Sequence, residues 1–196
     1  MTTRLVVLAS GNGSNLQAII DACETRALHA QVVGVVSDNH HAFALQRAAQ
    51  HNIASQVVAA TNTTRNRFNA QLAAAVQAFQ PDIVVLAGFM RLLTMDFLAH
   101  FPQRVINVHP ALPGELPGTH AIARAFDEFV AGKRTHTGVM VHFVPDEGVD
   151  NGPVIESAIV PIHPSDSLID LEQRMHATEH QLLINALTQL TKEHTP

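Results

Sequence analysis

Apolar and polar positions along this chain follow two periods, and for most of its length the two alternate. Arg4–Ser10 (RLVVLAS) is a short apolar, β-branched run, as in strands buried on both faces of a parallel sheet. Leu16, Ile19, Ile20 and Cys23 then recur at i, i+3, i+4 and i+7, which predicts an amphipathic helix over Ser14–Thr25 with Cys23 on its buried face. Gln31–Ser37 (QVVGVVS) predicts a second strand, Phe43–His51 a short helix and Ser55–Val58 a short strand. Thr64–Gln80 sets Phe68, Leu72, Val76 and Phe79 on one helical face, and Asp82–Ala87 (DIVVLA) reads as another buried strand. Thr94–His100 predicts a short helix that ends before Pro102, and Arg104–Val108 (RVINV) a strand. Ile122, Phe126 and Phe129 mark a helix stopped by Gly132.

The pattern then changes. Thr135–Val144 and Val154–Ile162 are strand-like runs with no helix between them, most simply antiparallel neighbours. A long helix from Ser167 to Leu190 carries the stripe Leu168, Leu171, Met175, Leu182 and Ala186. Glu179 falls inside that stripe, where it either pairs with a neighbour or reaches a polar ligand at the sheet edge. The expected fold is α/β: a Rossmann-like, doubly wound, mostly parallel sheet with antiparallel strands at its C-terminal side. One domain over 1–196 is expected, with a βα half at 1–108 and a second half with the closing helix at 109–196. Ligands of such sheets sit beyond the carboxyl ends of the strands, so the segment after each strand is where chemistry is sought.

Composition narrows the class. The 196 residues are 46% hydrophobic, enough for a core that needs no disulfide or metal. Only 15% are charged and the net charge is -5, which argues against disorder and against a basic nucleic-acid surface. The single cysteine excludes an internal disulfide framework and fits a reducing compartment. The apolar run at the N-terminus is too short for a signal peptide, and no stretch approaches the ~20 apolar residues of a membrane span. A cytoplasmic location is therefore expected, with neither nucleic acid nor membrane as partner.

Three segments carry candidate chemistry. Ser10-Gly11-Asn12-Gly13-Ser14-Asn15 lies between the first strand and the first helix, where glycines and free helix-start amides can cradle a phosphate. The dinucleotide fingerprint is incomplete there, since Leu16 stands where a third glycine is required, although Asp38 after the second strand would suit the ribose. Asn107-Val108-His109-Pro110 puts an amide and an imidazole on one side of a strand end, a pair suited to stabilising an oxyanion and moving protons. The loop Pro145–Pro153 (PDEGVDNGP) offers Asp146, Glu147 and Asp150, one of which could orient His109; spacing alone does not choose. The thirteen histidines suggest a metal, but no H-E-x-x-H occurs, and His136 and His142, on one strand face, lack a third ligand in sequence; no metal is expected.

Taken together, LASGNGSNLQAII, VLAGFMRLL, NVHPALPGELPGTH and HTGVMVHFVPDEGVDNGPVI resemble the folate-dependent formyltransferases, and the SGNGSN loop their glycinamide ribonucleotide branch. The resemblance spans nearly the whole chain. It implies transfer of a formyl group from 10-formyltetrahydrofolate to the amine of glycinamide ribonucleotide, with no metal. By position it assigns Asn107, His109 and Asp150 to catalysis, with His120 in support. Gly13, Ser14 and Asn15 would hold the phosphoribosyl end, with Glu179 and His176 near the ribose or phosphate. Arg65, Met90, Arg91, Leu92, Leu93 and Asn107 would border the folate, together with Pro145, Asp146, Glu147, Gly148, Val149 and Asp150. Asp150 is favoured over Asp146 because it directly precedes Asn151-Gly152-Pro153, and it is expected to keep His109 charged. Two other functions share parts of this pattern: a 10-formyltetrahydrofolate hydrolase, which uses water as acceptor, and a Rossmann-like nucleotide-binding module without chemistry. A homodimer is left open.

Overall fold

Short apolar runs become parallel strands here because both of their faces are covered. The computed structural model describes residues 2–61 and 63–193. β1 (Thr3–Leu8), β2 (Ala30–Ser37), β3 (Ser55–Val57), β4 (Ile83–Leu86) and β5 (Val105–His109) pair in parallel. β6 (His136–Phe143) and β7 (Val154–Pro161) join antiparallel, giving the order β3-β2-β1-β4-β5-β6-β7. The expected fold class is the observed one.

Alternation along each strand divides the core in two. Leu5, Val7, Ile83, Val85, Ile106 and Val108 face α1 (Ser14–Glu24), α2 (Phe43–Gln50) and α6 (Leu168–Glu193). Val6, Leu8, Val84, Leu86 and Val105 face α3 (Arg65–Gln77) and α4 (Met95–Leu98). Fully burying one such side chain contributes about 1.5–3 kcal/mol. The large residues of α5 (Ala121–Val130) depart from the sequence pattern: Ile122, Phe126 and Phe129 are only partly buried, and the buried residues are Ala121 and Ala125. Cys23 packs against the α6-side core as expected, and burial pushes its thiol up to about 11, away from any nucleophilic role.

The topology also locates the site. From β1 the chain winds outward through β2 to β3, then returns to β4 on the other flank of β1. The loops after β1 and β4 therefore diverge from neighbouring strand ends, the place where open α/β sheets leave a crevice. Ser10 ties them together: its amide donates to the Gly88 carbonyl (3.1 Å), and its hydroxyl accepts from the Met90 amide (2.8 Å). No helix among the described residues is long and apolar enough to cross a membrane.

Candidate active site

One wall of that crevice is the start of α1. Gly13 caps the helix with φ 74°, and a Cβ there would meet Ala44 Cβ at 2.7 Å and Ala44 Cα at 2.9 Å. Glycine is thus required twice, for the left-handed turn and for the approach of α2. No side chain caps the first amides of α1, and its first turn holds no acidic residue. The positive end of the helix is left for an anion. Arg47 steadies the loop tip, donating to the Asn12 carbonyl (2.9 Å) and to Asn12 Oδ1 (3.1 Å).

Glu179 comes from the middle of α6 to meet this wall. Asn15 Nδ2 donates to its Oε2 at 3.0 Å, in a buried pair, while Asn15 Oδ1 has no partner. Burial raises the Glu179 carboxyl above its ordinary range, against the Asn15 bond and the His176 charge. His176 is exposed and lines the same crevice with Gly13, Ser14, Asn15 and Glu179.

The floor is built from β5 and β6. Asn107 and His109 share a face with Val105, and the antiparallel register sets His142 directly opposite Asn107. Asp150 closes the group from the β6–β7 loop, in a left-handed conformation (φ 51°). Its Oδ2 accepts from the Gly118 amide at 2.8 Å and lies 3.3 Å from His109 Nδ1. Its Oδ1 accepts from Asn107 Nδ2 at 3.1 Å. Asp146 instead bonds the Gly148 amide within its own turn. The three residues assigned by resemblance to catalysis are therefore brought together, and Asp146 is not among them.

His109 is 4% exposed, and both of its ring nitrogens face acceptors: Asp150 at Nδ1 and the Leu116 carbonyl at Nε2 (3.1 Å). That arrangement suits an imidazolium, which donates twice. Burial nevertheless pulls the ring below its ordinary value, outweighing the Asp150 charge and the Leu116 bond; His142 and Arg124 pull the same way as burial. The expectation that Asp150 keeps His109 charged at rest is thus corrected, because desolvation is the larger effect. Burial pushes the Asp150 carboxyl up, but His142, the Gly118 amide and His109 hold it below its ordinary range.

The second wall follows β4. Met90, Arg91, Leu92 and Leu93 line the crevice, and Arg91 Nε donates to Asp38 Oδ2 at 2.8 Å. Glu147 crosses from the acidic loop to accept from the Met95 amide (3.0 Å), at the start of α4, and pairs with Arg65 at 3.5 Å. Asp146, Glu147, Gly148, Val149 and Asp150 line the crevice; Arg65 stands behind Glu147, and Pro145 packs towards Gly152 outside the lining. His120, the left-handed cap of α5 (φ 58°), lies at the rim. The cavity measures about 460 Å³, within the range of small-molecule sites.

Two participants were not singled out for this site in sequence. His142 Nδ1 donates to the Phe143 carbonyl (2.8 Å), which in the neutral ring leaves Nε2 to accept from Asn107 Nδ2 (3.2 Å); in the protonated ring Nε2 faces Asp150 Oδ1 at 3.6 Å. Arg124 reaches the Leu116 carbonyl that His109 also faces. Only the β5–β6 register reveals the first, and only the path of the Leu116–Gly118 turn the second. Among the described residues no cluster of His, Cys, Asp and Glu is disposed to hold a metal ion.

The family model described as formyl transferase matches residues 3–187. Phosphoribosylglycinamide formyltransferase of Dictyostelium discoideum is 40% identical, over 97% of this chain and 99% of its own length. The Escherichia coli enzyme of that name is 43% identical, over 91% and 82%. Glycinamide ribonucleotide transformylase 1 from Symbiobacterium toebii superposes with a TM-score of 0.92 at 36% identity, over 98% of this chain and 89% of its own.

Proposed function

The chain belongs to the formyl transferase family, and from that premise we infer that it moves the formyl group of 10-formyltetrahydrofolate to the amine of N1-(5-phospho-D-ribosyl)glycinamide. The products are the N2-formyl ribonucleotide and tetrahydrofolate, and the reaction is a step of purine biosynthesis. One observation carries the reading: the uncapped start of α1 and the Asn107, His109 and Asp150 cluster are walls of a single cavity. A phosphate seated on the first places its molecule's amine toward the second. Both substrates are small molecules, so the reading needs neither nucleic acid nor membrane, and the single cysteine fits the reducing cytoplasm as its place.

Gly13, Ser14 and Asn15 hold the phosphate through backbone amides and side-chain donors. Glu179 and the unpartnered Asn15 Oδ1 accept from ribose hydroxyls, with His176 beside them. Met90, Leu92, Leu93 and Val144 offer the folate ring an apolar wall, and Arg91 in that lining meets its acidic tail, with Arg65 beside Glu147 beyond it. His120 supports the rim. Attack by the amine on the formyl carbon drives charge onto the formyl oxygen. His109 Nε2 gives up Leu116, and Asn107 gives up one of its two internal acceptors, to donate there. Negative charge beside the ring favours the imidazolium that burial disfavours at rest; the ring takes that proton from solvent and returns it when the oxyanion collapses. His109 therefore binds the oxyanion more strongly than the neutral formyl group, which is what lowers a barrier. Asp150, ionised, takes the proton leaving the amine through water and passes it to N10 as the C–N10 bond breaks. The amine loses one proton, N10 gains one, and the oxyanion returns to a carbonyl.

The test is release of tetrahydrofolate with and without the ribonucleotide. Release only with the acceptor supports transfer. Release without it replaces transfer by hydrolysis, and no release in either arm leaves a binding module. Ser14→Asp is expected to raise KM for the ribonucleotide about 10–100-fold, the worth of about 1.5–3 kcal/mol for a hydrogen bond to a charged group. KM for the folate should hold; steady-state kinetics in each substrate check it, and equal rises would sink the phosphate seat.

A further inference from the structure

We propose that Arg124 is a positioning residue for the His109–Asp150 pair, acting through the backbone of the Leu116–Gly118 turn. The proposal rests on the reading of that pair as catalytic, but its central observation does not depend on turnover.

Arg124 lies in the first turn of α5 and is half-buried, yet among the described residues no carboxylate lies within ion-pair distance of it. Its Nη2 donates to two successive backbone carbonyls, Leu116 at 2.6 Å and Pro117 at 2.7 Å, and its Nε is buried without a partner. A guanidinium usually matches a carboxylate or phosphate; this one is committed to a turn. The turn in question holds both catalytic groups. The Leu116 carbonyl faces His109 Nε2 at 3.1 Å, and the Gly118 amide donates to Asp150 Oδ2 at 2.8 Å.

The turn does not hold that shape by itself. Leu116 (φ 45°) and Gly118 (φ 81°) are both left-handed, and such a conformation is uncomfortable for leucine and persists only where its surroundings impose it. Pro117 between them has no amide hydrogen to give. From the other side, Arg134, which also pairs with Glu128, reaches this loop at the Glu115 side chain (2.9 Å) and not at its backbone. Arg124 is what fixes the two carbonyls, and through them the acceptor that His109 must release and the amide that orients Asp150. Its charge also bears on the ring: the titratable and charged groups facing His109 are Asp150, His142 and Arg124.

Arg124→Met and Arg124→Lys in the full-length enzyme separate this role from plain stability. Arg124→Met is expected to lower kcat about 10–100-fold, the scale of a displacement of about 1 Å in a catalytic geometry. KM for both substrates should stay within about twofold. Arg124→Lys, which keeps the charge and a donor, should recover part of kcat. The ring C–H proton resonances of His109 should titrate at higher pH in Arg124→Met, because an opposing cation has gone, and near the wild-type midpoint in Arg124→Lys. An unchanged kcat and an unchanged His109 midpoint in Arg124→Met would overturn the proposal. So would a fall in melting temperature with kcat per folded molecule retained. Wild-type enzyme that lacks acceptor-dependent turnover but shows the shifted midpoint in Arg124→Met would overturn the functional reading and leave the Arg124–His109 coupling standing.

Discussion

His109→Ala is expected to lower kcat by about 10²–10³-fold, the usual cost of removing one donor aimed at a developing oxyanion. The ring is buried at the end of β5 and its polar partners are Asp150 and the Leu116 carbonyl rather than the start of α1, so KM for the ribonucleotide should hold. Asp150 keeps its bonds from Gly118 and Asn107 in the variant, so the loop should remain placed. Equal losses in kcat and kcat/KM would mark an interaction made mainly in the transition state. Stopped-flow or single-turnover rates, with circular dichroism to show the fold intact, provide the measurement. A kcat within about fivefold of wild type would remove His109 from the chemistry.

Asp150→Asn should cost about 10²–10⁴-fold in kcat, more than its change in size suggests. Every group around this carboxylate is a donor or a titrating ring: the Gly118 amide and His109 at one oxygen, Asn107 and His142 at the other. An amide nitrogen in place of either oxygen meets a donor head-on, so Asn107 or the Gly118 turn must move. The charge is lost as well. Asp150 is the main influence raising the proton affinity of His109 against burial. Without it, burial acts unopposed by charge, and the ring should titrate at still lower pH. The sign is opposite to that expected for Arg124→Met, so the two variants bracket the wild-type midpoint. Asp146→Asn should be mild, because Asp146 lines the crevice but spends its hydrogen bond on the Gly148 amide of its own turn, apart from the His109 cluster. If Asp146→Asn were the inactive variant and Asp150→Asn the active one, the relay would belong to the earlier carboxylate.

The parts of this site differ in how far they could be read from sequence. The βα alternation was legible because strands covered on both faces are continuous apolar runs, as in Leu5–Leu8 and Ile83–Leu86. Asn107 and His109 were legible because two residues along a strand is one face. Asp150 was not separable from Asp146 by spacing, since a turn-rich loop hides which carboxylate turns inward; the left-handed backbone at Asp150 is a tertiary outcome. Glu179 announced itself as an acid inside an apolar stripe, although its partner Asn15 lies 164 residues away. His142 was noted only as a metal candidate, because its place opposite Asn107 depends on pairing between distant strands. The net charge preference of His109 could not be read at all: burial and carboxylate oppose each other, and their balance depends on depth.

The cross-strand pairing of Asn107 with His142 has a consequence for which changes the gene can tolerate. Loops absorb added or missing residues at their surface, and so the acidic loop can vary in length among relatives. A strand cannot. One codon gained or lost within β6 before His142 would swing that ring to the α6 side and set a valine or a phenylalanine beside Asn107. Length variation in this lineage should therefore accumulate in the turns and be purged from the Val139–His142 stretch, even where every inserted residue is a good strand former.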